Sequence, residues 1–284
     1  ACELEHVCDY VNNRTTSSMN YISTENMLPN KGGISESTII PPGTTTEYKI
    51  GDILISNIRP YFQKIWCADR CGGCSADVLC IRAKENTDSK YLYYLLSQQA
   101  FFDYVMSGAK GCKMPRGDKK QIMQWPVNIP AIDVQKKVVA ILSSLDNKIR
   151  LNRRINDNLE EQAKALFNHY FIQNTENLGE WQDGVLTDIA QYLNGLAMQK
   201  YPAMPNEAGL PVLKIKELGQ GQCDTNSDRC SSLIKPEYII SDGTIIFSWS
   251  GTLLVDIWCG GKCGLNQHLF KVSAAKYPQW FVFY

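Results

Sequence analysis

One order of segments is written twice in this chain, with a long amphipathic helix between the copies. Leu4–Asn13 reads LEHVCDYVNN and Leu186–Gly195 reads LTDIAQYLNG, the same apolar and polar order 182 residues later. Trp66-Cys67-Ala68-Asp69-Arg70-Cys71-Gly72 is echoed by Trp258-Cys259-Gly260-Gly261-Lys262-Cys263-Gly264, and Ser75–Leu79 by Asn266–Phe270. The period is far too long for a solenoid, so the copies are two domains rather than stacked repeats. Two similar domains on a spacer point to a protein that touches two similar places at once.

The 284 residues suffice for two modest cores. No apolar run approaches the ~18 residues of a membrane span. The start, ACELEHVCDY, has no basic segment followed by an apolar one, so no signal peptide is expected. Formal net charge is +0, but it is unevenly spread. Residues 110–154 hold eleven Lys and Arg against three acids, Asp118, Asp133 and Asp146. Such a patch supplies phosphate affinity that the average hides. The alternative is a solvated helix face.

Eleven cysteines without a secretion signal place the chain in a reducing cytoplasm, with free thiols. Cys67, Cys71, Cys74 and Cys80 are open to three readings: a zinc site, a redox pair at Cys71 and Cys74, or small buried thiols in strands. The spacing matches no standard zinc site, no His lies nearby, and no strand–CxxC–helix unit surrounds the pair, which favours the third. No metal is therefore expected.

The expected fold class is α+β: two mixed domains of strands and helices joined by a coiled-coil-type helix. The boundaries are 1–132, 133–180 and 181–284. In the first domain Leu4–Val11 is helix-like or a short entry segment, and 12–47 form hairpins and loops. Ile53–Ser56, Lys64–Ala68 and Asp77–Ile81 are strands. One helix runs from Ser89 through Val105, and Gln121–Pro130 closes as a strand. Asp133 caps the spacer helix, and Val138, Leu142, Leu145, Ile149, Ile155, Leu159, Ala163, Leu166 and Tyr170 make one stripe along it. Its roughly 40 residues span ~60 Å and call for another helix against them. Gly179 ends the segment and the second domain starts near Trp181, with strands at Pro211–Ile215 and Thr244–Ser248. Tyr284 aligns with Tyr94, so the counterparts of 95–172 are expected to be missing, which leaves the second domain incomplete.

Three stretches together resemble the specificity subunit of type I restriction–modification systems. They are GCKMPRGDKKQIMQWPVNIPAIDVQKKVVAILSSLDNKI, the helix LNRRINDNLEEQAKALFNHYFI, and LTDIAQYLNGLAMQKYP with LPVLKIKELGQG. The resemblance implies two target-recognition domains, each reading half of a split duplex-DNA sequence, with helices fixing the separation. Half-sites one helical turn apart lie about 34–36 Å apart. It also implies a subunit without catalysis or cofactor of its own. It would position adenine-N6 methyltransferase subunits, two of them, which use S-adenosylmethionine, and a motor endonuclease that uses ATP and Mg. The residues agree: there is no GxxxxGK[ST] loop and no Asn/Asp-Pro-Pro-aromatic stretch, and His6, His169 and His268 lie in unrelated segments.

The candidate DNA-binding residues of the first domain are Lys110, Lys113, Arg116, Lys119 and Lys120, on a loop whose Gly108, Gly111 and Gly117 permit close backbone approach. Asn57, Arg59 and Tyr61 follow a strand end, where turn chemistry competes with groove binding. Arg116 is the candidate for a base edge, because its fork matches guanine's two acceptors; the lysines suit phosphates. In the second domain the candidates are Lys200, Trp249, Ser250, Thr252 and Lys262, with a buried core as the alternative for Trp249. Leu142, Leu145, Ile149, Leu159, Leu166 and Phe167 are the candidates for a partner helix or methyltransferase, and Lys148, Arg150, Arg153 and Arg154 for the duplex between half-sites or an acidic partner. Two other readings remain: a specificity subunit of a related type IIB- or IIG-like system, and a scaffold whose repeated domains bind protein.

Overall fold

The computed structural model describes residues 2–17, 19–36, 43–111, 113–173, 183–274 and 276–284. Gly179, Trp181 and the 180/181 boundary lie outside them. The chain forms two compact units, Ala1–Arg154 and Ile155–Tyr284, which divide within the long helix.

The first unit runs through β1 (Cys2–Glu3), β2 (Cys8–Tyr10), β3 (Arg14–Thr15), β4 (Thr45–Tyr48), β5 (Ile53–Ser56), β6 (Ile65–Cys67), β7 (Gly72–Cys74) and β8 (Val78–Ala83). Then come α1 (Ser89–Leu96), α2 (Gln99–Ser107), α3 (Lys119–Met123), β9 (Pro126–Val127) and the start of α4 (Ile132–Phe167). An antiparallel sheet of order β2-β8-β5-β6 faces a second of order β3-β4-β7, and β1 pairs with β9. All four residues of β5 are buried, because both of its faces are covered. Ile53 and Ile55 join Leu92, Leu96, Phe101 and Phe102 on the helix side. Leu54 joins Tyr48, Trp66 and Cys74 on the other.

Local chemistry settles one expectation here and corrects two. Leu4–His6 is a single 3-10 turn that leads into strand β2. The helix from Ser89 is two helices: Ser97 Oγ donates to Tyr93 O at 2.7 Å, and Gln98 takes an extended ψ of 148°, which starts a new helix. Residues 121–130 are mostly not strand. Asp118 accepts from Lys120 N and Gln121 N and caps α3, leaving only Pro126–Val127 to pair.

Asp133 does not cap α4; it lies inside the first turn. The helix is instead fastened by Gln135, the one fully buried residue among its 36. Gln135 Nε2 donates to Asn86 O and Pro130 O, and its Oε1 accepts from Asp88 N at 2.8 Å. Further along, Tyr94 Oη donates to Asp146 Oδ2 at 2.7 Å. At about 1.5 Å per residue α4 is about 54 Å long, and a π-helical turn, Asn168–Gln173, continues it.

The second unit contains α5 (Leu186–Ile189), β10 (Gln191–Asn194), β11 (Leu210–Leu213), α6 (Ile215–Gln220), β12 (Arg229–Cys230) and β13 (Ile239–Ile240). β14 (Thr244–Ser248), β15 (Leu254–Trp258), β16 (Cys263–Leu265), β17 (Leu269–Ser273) and α7 (Gln279–Phe283) follow. Ile215 opens a helix rather than ending a strand. The sheet order β10-β17-β14-β15 repeats β2-β8-β5-β6 in the same sense, and the second sheet is β12-β11-β16-β13. Registers repeat too: Tyr10 opposes Ile81 and Tyr192 opposes Val272.

The tryptophan echo corresponds less simply. Trp66 opposes Leu54, whereas Trp258 opposes Thr244, two residues further from the hairpin tip. The β14–β15 tip is two residues shorter. A slip of two keeps the same face inward, so both indoles stay buried. The helix-side layer is thinner here: Ile65 of β6 is buried, while Val255 and Ile257 of β15 are exposed.

Cys74 and Cys80 lie together in the inter-sheet core, and the neighbouring Cys74 thiol with burial pushes the Cys80 thiol far up. Cys71 of the CxxC pair is exposed and Cys74 is buried.

Candidate nucleic-acid interface

Three segments of the first unit converge at the far end of β5. Leaving the strand, Ser56 Oγ donates back to Ile58 O at 2.9 Å. Arg59 then adopts φ 50° and ψ 61° directly before Pro60, a position that proline pushes toward extended backbone. Pro60–Phe62 is a 3-10 turn, and Gln63 leaves it at φ 51°. Two left-handed non-glycine residues store about 1–3 kcal/mol each and persist only where the surroundings hold them.

The basic loop does the holding. Arg59 N donates to Pro115 O at 2.8 Å, and Gly117 N donates to Asn57 O at 3.3 Å. Lys110 and Arg116 exchange backbone hydrogen bonds of 2.9 Å in each direction. The third segment is the turn before β8: Asn57 N donates to Asp77 O at 2.9 Å, and Arg116 Nη2 lies 3.1 Å from Asp77 Oδ1. Arg116 is thus an exposed guanidinium oriented by a carboxylate.

Asp118 organises the lysines. Its Oδ2 takes Lys110 Nζ at 3.0 Å while its Oδ1 caps α3, which places Lys119 and Lys120 in the first turn. Tyr10 Oη fixes the same turn by donating to Lys119 O at 3.1 Å. The Lys110 hydrogen bond, with those from the Gln121 and Lys120 amides, holds the Asp118 carboxyl below its ordinary value. Its folded value is depressed, so its contribution is complete above the ordinary carboxylate range, about 3.9 for Asp. The contribution is lost only as pH falls through the lower folded value. In an NMR titration the Lys120 and Gln121 amides should therefore move at lower pH than exposed carboxylates do. Movement together with ordinary carboxylates would refute this assignment.

The structure brings together Arg59, Lys110, Arg116, Lys119 and Lys120, with Tyr61 exposed on the neighbouring turn and Lys113 exposed on the arch of the loop. It places Asn57 inside, 9% exposed, with Oδ1 unpartnered. A Cβ at Gly117 would lie 2.9 Å from that atom and from Val105 Cγ1. Gly117 therefore serves close internal packing, where close approach to a ligand was expected. Asp77, Phe62 and Gln63 belong to the site but carry no sequence signal of binding.

In the second unit Trp249 is exposed at the β14–β15 tip, so it is not a core tryptophan. Its ring lies 6.0 Å from that of His268, the residue at the position of Asp77. Ser250 and Thr252 share the tip, and Ser248 Oγ donates to Thr252 O at 2.7 Å. Lys200 is exposed on a 3-10 turn, Met198–Lys200. Lys262 follows the opposite end of β15, so the hairpin separates it from the tip.

On α4, Leu145, Ile149, Leu159 and Leu166 are exposed. Leu142 is half-buried. Phe167 is used within its own unit, with ring centroids 5.9 Å from Phe281 and 6.0 Å from Tyr284.

A family profile described as the type I restriction modification DNA specificity domain matches residues 3–161, more than half of the chain. The chain belongs to this family. This specificity domain is 26% identical over 189 residues to the type I restriction enzyme MjaIX specificity subunit of Methanocaldococcus jannaschii, covering 60% of this chain and 44% of that protein. It is 29% identical over 161 residues to the HindI specificity subunit of Haemophilus influenzae, covering 54% and 35%. The chain thus spans less than half the length of these curated relatives. Two solved structures align with it: the HsdS subunit from Thermoanaerobacter tengcongensis and the type I system S subunit from M. genitalium. The first gives TM-score 0.44 at 18% identity over 98% of this chain and 76% of that one. The second gives 0.47 at 14% identity over 96% and 72%. No helix among the described residues is long and apolar enough to cross a membrane.

Proposed function

We propose that this specificity domain reads duplex DNA as two half-sites and holds no catalytic group or cofactor itself. The surface formed by Arg59, Arg116 and the lysines around Asp118 reads one half-site, and the β14–β15 tip belongs to the other. The observation that carries this reading is the Asp77–Arg116 pair at the junction of three interlocked segments. A carboxylate that fixes a guanidinium presents its remaining N–H groups as a fork, which suits guanine O6 and N7. The surrounding lysines supply phosphate affinity.

The exposed apolar row of α4 has the spacing of a helix seam, and its occupant in this reading is a second helix or a methyltransferase subunit. Two adenine-N6 methyltransferase subunits, using S-adenosylmethionine, and a motor endonuclease, using ATP and Mg, would complete the assembly in the cytoplasm. The different partners of Arg116 and Trp249, Asp77 and His268, imply different bases in the two half-sites.

The test is DNA binding by the chain with its methyltransferase, on duplexes recovered from a randomised pool. Arg116→Ala should cost about 1–3 kcal/mol of discrimination at one base position. Lys119→Ala should weaken binding to all duplexes alike and lower the salt slope by about 0.9. Equal effects of the two would sink the division of labour, and salt-insensitive or absent binding would sink the reading.

A further inference from the structure

We infer that the two homologous hairpin tips are apolar wedges that enter the base stack of the bound duplex. This rests on the DNA-reading role proposed above. Tyr61 and Phe62, the middle of the β5–β6 tip, are 47% and 38% exposed, with ring centroids 4.7 Å apart. Together the two rings make a contiguous apolar surface rimmed by polar residues, the kind that marks a contact site. Here the backbone under them is fixed from both sides. Asn30 N donates to Phe62 O at 2.8 Å and Lys31 N to Gln63 O at 3.0 Å, while Phe62 N and Gln63 N close the turn on Arg59 O and Pro60 O.

Asn30, Lys31, Arg59 and Gln63 all have positive φ, so four of the six such non-glycine residues among those described surround this one turn. Strained backbone that is hydrogen-bonded into rigidity is what a side chain needs if it must hold its position against a stacked base pair. Cations flank the pair: Arg59 precedes it, and Lys64 Nζ lies 5.9 Å from the Phe62 centroid. The basic loop is bonded to the same turn through Arg59 N and Pro115 O. Large apolar side chains set among phosphate-binding cations are the arrangement by which proteins part base steps and kink a duplex.

The second unit repeats the device with different residues. Ser248 occupies the position of Ser56, and both seryl hydroxyls fold back onto a carbonyl of their own tip. The shorter tip of the second unit exposes Trp249 at 46% and Leu253 at 77%. The residue types changed and the tip lost two residues, yet large apolar exposure remained.

Permanganate, which oxidises thymines that have left the stack, reads this out on recovered duplexes bound by the chain with its methyltransferase. Wild type should make thymines reactive at one step in each half-site. Tyr61→Ala with Phe62→Ala should abolish the signal in one half-site only and weaken binding roughly 10- to 100-fold. Trp249→Ala with Leu253→Ala should abolish the other. Tyr61→Phe should retain both, and any unstacking by the methyltransferase at its target base should survive in every variant. These side chains are exposed, so unchanged hydrogen exchange in β5 and β14 certifies the fold. Weaker binding with an unchanged permanganate pattern would mean edge contacts, such as thymine methyl groups, and would overturn the wedge. Full affinity in the alanine variants would overturn it too, assigning the tips to a protein partner. If wild type does not bind DNA, the DNA-reading role itself fails.

Discussion

Asp52→Ala is expected to remove about 3 kcal/mol from the first unit. The Asp52 side chain is 2% exposed and accepts four hydrogen bonds: from Lys49 N, from Arg82 Nε and Nη2, each at 2.7 Å, and from Cys80 Sγ at 3.7 Å. It ties the turn before β5 to β8, the neighbouring strand. Breaking a buried pair by removing one partner costs about 3–5 kcal/mol, because the other charge stays uncompensated. Arg82 keeps 38% of its side chain exposed, which places the effect at the low end. Hydrogen exchange in β5 and β8 should accelerate accordingly. Asp52→Asn should lose less, since it still accepts from Lys49 N, and Asp52→Leu with Arg82→Met should recover much of the loss. The second unit supplies the contrast: Thr244 stands where Asp52 would be and Ser273 where Arg82 would be, and Asp242, two residues before Thr244, is exposed and accepts only from Gly261 N among the bonds described. Asp242→Ala should cost under about 1 kcal/mol. A loss for Asp52→Ala as small as that would show that the ion pair carries no stability.

What the sequence discloses follows the range of the interactions concerned. β5 and β14 match their expected spans because a run of buried β-formers bounded by Gly51-Asp52 or Gly243 is a local pattern. The stripe of α4 is local as well. The Ser97 break and the Asp118 cap are also local, but a single side-chain hydrogen bond decides each, and apolar periodicity does not register it. The site was half legible. Clustered Lys and Arg announce the basic loop, but its joining to Asn57 and Arg59 depends on backbone bonds between residues roughly 60 positions apart, and its joining to Asp77 on a side-chain ion pair. Asp77 is visible only as a member of the repeat, and its partnership with Arg116 exists only in the fold. Asn57 illustrates the opposite error: a polar residue after a strand end reads as exposed, yet the packing of Gly117 buries it. Repetition revealed the duplicated architecture. It obscured the two-residue slip at Trp258, because the identical tryptophans invite an alignment that the strand register does not keep.

Gln135→Leu is expected to release the start of α4 from the first unit at a cost of about 2–4 kcal/mol. Leucine keeps most of the volume, so the loss is in hydrogen bonding. Asp88 N, Asn86 O and Pro130 O, themselves only partly buried, all lose the fully buried Gln135 side chain as their partner. Each buried group left unpaired costs about 1–3 kcal/mol, and partial relaxation toward water reduces the sum. Asp88 also caps α1 through Lys90 N and Tyr91 N, so loosening its backbone frays that helix. Hydrogen exchange should rise in residues 86–92 and 131–138. The core strands should be unaffected, because β5 and β8 do not depend on this contact. The functional consequence separates anchoring from reading. If α4 sets the distance between half-sites, a loosened anchor broadens the spacer lengths recovered from a randomised duplex pool but leaves the half-site sequences intact. The second anchor, Tyr94 on Asp146 and Ser143, limits that broadening. Tyr94→Phe should add to it, since the two anchors grip α4 about 11 residues apart and together define its direction. Altered half-site sequences with unaltered spacing would refute the anchoring role and transfer Gln135 to the reading surface.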